Sequence, residues 1–297
     1  MLDLLQQISK IPCVNGGERE LSLFLKKYFI TKGLSVQSFP GNHIFVKKDG
    51  TMPQTILFTP MDSPGFICLY KEDGVAYLSP TSRTLNDMKD FDSVINQSGK
   101  TFKIEESKYD KNAFCIKSKD VNIGDVLAIT PNFDLKETEF AGRFSSKLAC
   151  ISVLIRLSEI LTNPNIAFCF TAGFHSGSKA ESNVMKRVGA KNAILLSPAE
   201  TKENTNEPIL ALKDGKHFSS RILSGAFLAS CKDNGISVQR VVFDKAISAA
   251  ERTYAPHVKE ILSLSLPCHQ LYTANENNNS VDAMAEALKY FLNSNFS

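Results

Sequence analysis

Residues 57–66 read LFTPMDSPGF. Leu57 and Phe58 close an apolar run that begins at Thr55 (TILF), the pattern of a buried strand, and Met61-Asp62 and Gly65-Phe66 follow it. Open α/β sheets build their sites at such strand ends, where the chain leaves the sheet. A metal site there would want a histidine two residues ahead of the aspartate, and Pro60 occupies that place. The stretch reads as either an active site or the remains of one.

The flanking sequence sets the fold. Residues 2–10 and 18–32 carry amphipathic helix patterns, the second with Leu21, Phe24, Leu25, Tyr28 and Phe29 on one face and Gly33 as its stop. SVQSF, HIFVKK and TILF then predict strands. From about residue 64 to 136 the texture changes to short strands and turns (FICLYKEDG, VAYLS, KTFKIEE, AFCIKS, DVLAIT), as in an all-β unit. Helical periodicity returns in SKLACISVLIRLSEIL. After it the chain alternates: IAFCFTA strand, SNVMKRVG helix, NAILLS strand, PILALK strand, a helix over FSSRILSGAFLASCKDNG, VQRVVF strand, a helical APHVKEILSL, an HQLYT strand and a closing helix SVDAMAEALKYFLN. Alternation of this kind predicts an α/β fold, a mixed sheet sandwiched by helices, split by a small inserted all-β domain. The expected boundaries are 1–63 with 137–297 for the α/β domain and 64–136 for a β-barrel-like insertion.

Composition narrows the function classes. The 297 residues are 43% hydrophobic and 22% charged, with net charge +3 and the basic residues dispersed among acidic ones. No basic block points to nucleic acid, and no apolar run nears the roughly 18 residues of a membrane span. MLDLLQQISKIP has neither the basic nor the apolar region of a signal peptide, so a cytoplasmic location is expected. The seven cysteines form no CxxC pair and sit in apolar surroundings, which reads as reduced, buried thiols. His43, His217, His257 and His269 lack a second histidine at metal-ligand spacing and read as ordinary surface or satisfied side chains. Gly173 and Gly177 read as turn residues, since no GxxxxGK pattern follows.

Taken in order, several segments resemble the glutamyl and deblocking aminopeptidases, the tetrahedral aminopeptidases also described as endoglucanase M-like dinuclear metallopeptidases. ISKIPCVNGGERE (8–20), PGNHIFVKK (40–48), FTPMDSPGF (58–66), NIGDVLAI (122–129), AGRFSSKLACISVLIRL (141–157), FTAGFHSGSKA (170–180) and NAILLSPAE (192–200) each match weakly, and their order and spacing carry the resemblance. It implies two zinc or cobalt ions, a carboxylate bridge, a glutamate base and removal of N-terminal residues from peptides. Carried over position by position, the ligands fall on Pro60, Ser145, His175, Ser197 and Asn275, and the base falls on Phe174. Ser146 neighbours the bridging position, and SAAE (248–251) stands where the family has a GTDA segment. Asp62, the histidine-orienting carboxylate, is kept. Hydroxyls, an amide and proline do not hold zinc, and a lone imidazole does not assemble a tight dinuclear site.

The expectation is therefore a divergent homologue without working metallopeptidase chemistry and without a cofactor. It would bind a peptide or protein partner through the old cleft and assemble as a homo-oligomer. The alternative is an active hydrolase or aminopeptidase, using zinc or cobalt if the family chemistry survives, or a rebuilt Ser145–His175–Asp62 site. A simpler account of the serines is that a metal-free pocket disfavours clustered carboxylates.

Overall fold

The computed structural model describes residues 2–48, 50, 52–82, 85, 91–106, 114–132, 134–135, 139–141, 145–201, 205–253, 258–268 and 275–296. Helices α1 (Leu2–Ser9) and α2 (Arg19–Thr31) lead into β1 (Ser35–Phe39), β2 (His43–Lys47) and β3 (Thr55–Pro60). Next come β4 (Gly65–Glu72), β5 (Val75–Pro80), β6 (Ser93–Ile95), β7 (Thr101–Lys103), β8 (Glu105–Glu106), β9 (Phe114–Lys117) and β10 (Val126–Ile129). After β11 (Asp134–Leu135) and β12 (Glu139–Ala141), the chain runs through α3 (Ser145–Ile160), β13 (Ile166–Thr171), α4 (Ala180–Val188), β14 (Asn192–Glu200), β15 (Ile209–Asp214) and β16 (His217–Phe218). It ends with α5 (Arg221–Asp233), β17 (Gln239–Phe243), β18 (Glu260–Cys268), β19 (Asn275–Asn277) and α6 (Asn278–Asn295).

A nine-stranded mixed sheet in the order β1-β2-β13-β3-β14-β18-β15-β16, with β17 beside β15, carries the fold. Its four central strands, β13, β3, β14 and β18, are mutually parallel. Side-chain alternation splits the core in two. Leu57, Phe170, Ile194, Leu196, Leu262 and Leu264 face α1, α2, α3, α5 and α6, while Ile56, Phe58, Cys169, Ala193 and Leu195 face α4. Helices thus cover both faces, as parallel strands require. The strands of the seven-stranded sheet, β7-β6-β10-β4-β5-β9-β8, all lie between Gly65 and Ile129 around their own apolar core of Phe66, Phe91, Val94, Phe102, Ile116 and Leu127.

Two sequence expectations need correction. APHVKEILSL was expected to be helical, yet Glu260–Cys268 is a strand between β14 and β15. Leu262, Leu264 and Leu266 alternate with the buried Ser263 and Ser265, a period of two that a sheet interior satisfies and a helix does not. The α5 helix starts at Arg221, not at Phe218, because the Ser220 hydroxyl caps it by accepting from the Leu223 amide at 3.1 Å. The HQLYT segment lies outside the described residues, as do His257 and His269.

Gly65, in the opening stretch, begins β4 against Val14 and β10. A Cβ there would stand 2.2 Å from Val14 Cγ2 and 2.5 Å from the Leu127 carbonyl oxygen, so only glycine fits.

Candidate functional site

The parallel strands end together. Pro60 on β3 pairs with Thr171 on β13, and Ser197 on β14 pairs with Ser265 on β18. Leu195 pairs with Phe58, which puts Ser197 level with Pro60. The chain past β3 carries Asp62, 1% exposed, and the chain past β13 carries the 173–178 turn. Gly173 takes a φ of 77°, and a Cβ there would press on Ser178 Cβ at 2.9 Å, so the turn depends on glycine.

Two buried carboxylates hold that turn through its backbone. Asp62 accepts from the Phe174 amide with Oδ1 at 3.0 Å and from the His175 amide with Oδ2 at 3.1 Å. Glu18, 2% exposed, accepts from the Gly173 amide at 3.1 Å. Three consecutive N–H groups therefore point at internal carboxylates, charge-assisted bonds of the stronger kind. Arg252 donates to the Phe174 carbonyl at 3.1 Å and lies 4.9 Å over the Phe174 ring. The Phe174 and His175 rings meet edge to face at 5.3 Å.

Lys147, on the first turn of α3, supplies positive charge from the other side. Its amine is hydrogen-bonded to the Ser63 hydroxyl. Burial holds that amine below the usual lysine value, against the pull of Cys13, Asp62 and Glu18. Burial also pushes the Asp62 carboxyl up, opposed by the His175 and Phe174 amides and by Lys147. Glu18 and Glu181 are likewise raised by burial, and Glu181 accepts from the Thr171 hydroxyl at 2.8 Å. His175 falls to about 4, first through desolvation and then through the Lys147 and Arg252 cations. The Cys13 thiol donates to the Met61 carbonyl at 2.9 Å, and burial pushes it up to about 12.

The structure thus gathers Asp62, Phe174 and His175, with Pro60 and Ser197 on neighbouring strand ends. The side chains of Ser145, first residue of α3, and Asn275, first of β19, lie outside the described residues. Among the described residues, no group of three or more His, Cys, Asp or Glu side chains is placed to hold a metal ion. Glu18, Ser63 and Arg252 were not singled out by the sequence reading. Their partners are backbone groups or residues far along the chain, and no local motif announces them. Ser248, in the segment matched to GTDA, bonds instead to the buried Asp214. His43 accepts from the Ala172 amide at 3.1 Å, a satisfied core histidine.

No family model matches this chain, and no curated protein does. Solved structures do. A TET aminopeptidase from a marine-sediment thaumarchaeon superposes at TM-score 0.85 and 13% identity, over 99% of this chain and 96% of its own. An aminopeptidase from Desulfurococcus kamchatkensis gives 0.84 and 12%, over 98% and 93%. The Pyrococcus horikoshii TET1 peptidase, which assembles into a tetrahedron or a large octahedral shell, gives 0.77 and 15%, over 96% and 98%. This is the TET aminopeptidase fold. The likeness runs over nearly the whole length of both chains in each case.

Proposed function

We propose that this chain is a TET-fold homologue that does not work as a metallopeptidase and that uses its strand-end cleft to bind a peptide or protein partner. The observation carrying this reading is the engagement of Asp62. Both of its oxygens accept backbone amides of the very turn on which a base and a ligand would stand, and that turn presents Phe174 and a half-buried His175. The residues do not fit the dinuclear group of the fold family. Proline and hydroxyl side chains at Pro60 and Ser197 offer no anionic or imidazole donor, and the Lys147 and Arg252 cations oppose a further cation beside His175. We take residues 64–136 as an inserted domain and a homo-oligomer as the working assembly, by analogy with the shells of the TET neighbours. No helix among the described residues is long and apolar enough to cross a membrane, in keeping with a cytoplasmic binding role.

The test is metal content after purification without added metal, repeated after incubation with zinc or cobalt, beside an assay on N-terminal aminoacyl substrates. Less than a tenth of an ion per chain, on the order of background, and no metal-dependent turnover are expected. One or two tightly held ions with turnover would overturn the reading in favour of an active aminopeptidase.

A further inference from the structure

We propose that Ser63 and Lys147 form a nucleophile–base pair that accepts short acyl groups in the small cavity beside the cleft. The pair is separate from the Ser145, His175 and Asp62 combination, and it stands whether or not the cleft binds a partner.

Three observations converge. First, the Lys147 amine is hydrogen-bonded to the Ser63 hydroxyl across 84 positions of sequence. A serine with a base in contact is the minimal unit of acyl transfer, and lysine serves as that base in the Ser-Lys variants of the serine triad. Second, the Ser63 backbone is fixed on both sides. Its amide donates to the Cys13 carbonyl at 2.8 Å, and its carbonyl accepts from the Asn15 amide at 3.3 Å. The hydroxyl is thereby presented from a rigid segment, which preserves nucleophile geometry. Third, the pair shares one cavity of about 40 Å³ with Cys13, Ile11, Leu21 and Ile129. That space holds one or two waters or an acetyl-sized group, and its aliphatic walls favour an apolar acyl chain over a charged one. The titratable groups facing the Lys147 amine are Cys13, Asp62, Glu18 and His175. Cys13 already spends its S–H on Met61, which leaves Ser63 as the nucleophile.

The chemistry balances without any further reactant. Once it has given up its own extra proton to solvent, the Lys147 amine takes the Ser63 hydroxyl proton while Oγ bonds to the acyl carbon. The bond to the leaving group breaks, and the leaving group departs with the proton that Lys147 returns. Water then cleaves the Ser63 ester by the same sequence, regenerating the hydroxyl and releasing the acid.

The experiment treats the full chain with p-nitrophenyl acetate in the presence of a chelator and maps the acetylated peptide by mass spectrometry. Acetyl on Ser63 in the wild type is expected, lost in Ser63→Ala and slowed at least about a hundredfold in Lys147→Arg, which keeps the charge but not the base. Circular dichroism and thermal unfolding check that each variant is folded. Acetyl on Lys147 or Cys13 instead, no acetyl on Ser63 of the folded wild type, or an undiminished Ser63 rate in Lys147→Arg each overturns the proposal. Because the wild-type peptide map decides by itself, a variant that fails to fold does not rescue it. The chelator separates this outcome from the metal question, which the ion content answers.

Discussion

Two buried aspartates do the same mechanical task in different surroundings. Asp62 follows β3 and binds the Phe174 and His175 amides. Asp214 ends β15, is fully buried, and binds the Ile247 amide at 2.7 Å and the Ser248 hydroxyl. Each fastens a loop to the end of a strand of the nine-stranded sheet. Around Asp214 the partners named are protein groups of the loop it holds. Around Asp62 stand a second carboxylate, a thiol, a lysine and a cavity. The comparison teaches that a retained aspartate at a strand end is explained by loop anchoring alone, and that function should be sought in what is extra at Asp62.

The largest effect that can break this comparison is the pair Asp62→Ala and Asp214→Ala. Removing Asp62 strips two amides of their acceptor and leaves Lys147 with less opposing charge, a loss of roughly 3–5 kcal/mol in chemical denaturation. Removing Asp214 leaves one amide and one hydroxyl unsatisfied and costs about 2–3 kcal/mol. An equal or reversed ranking would remove the electrostatic distinction between the two corners.

His175 sharpens the same contrast through pH. Its folded pKa of about 4 lies below the ordinary histidine value of 6.5. The unfolded chain therefore takes up a proton that the folded chain refuses. The stability due to the neutral imidazole is fully present above pH 6.5 and is lost as pH falls toward 4, on the order of 2–3 kcal/mol at most. The difference in unfolding free energy between wild type and His175→Asn should follow that window, and a flat difference from pH 7 to 4 would contradict the burial of the ring between two cations. The smallest effect belongs to Ser248→Ala, which removes one bond to Asp214 and the acceptor of the Ala250 amide, 3.1 Å away. A loss of about 1 kcal/mol is expected in the same denaturation measurement.

Much of the architecture was legible because strand and helix periods are local. TILF, IAFCFT and NAILLS are short apolar runs bounded by turns, and each is a central strand. The strand at Glu260–Cys268 was misread because APHVKE biased the window toward a helix, although the Leu-Ser alternation beyond it carried the right period. At the site, Asp62 stood out by its place after a strand, and His175 through the resemblance to the aminopeptidase motif. The Glu18–Gly173 bond was not, since a backbone amide has no letter in the sequence. Nor was the Ser63–Lys147 contact, because nothing short of the folded sheet brings those two positions together.

The strand order has a consequence for how the chain is made. Both neighbours of β3 in the sheet, β13 and β14, are synthesised more than a hundred positions after it, and β18, which completes the centre, comes later still. Among the described residues, the strands between Gly65 and Ile129 pair only with one another. On a ribosome the seven-stranded sheet can close early, while Ile56, Leu57 and Phe58 wait unpaired until residues 166–200 emerge. Pairing over such distances is slow, and the waiting strand is an aggregation hazard during that interval. Every strand of the seven-stranded sheet is thus synthesised before β3 gains its first neighbour in the other sheet.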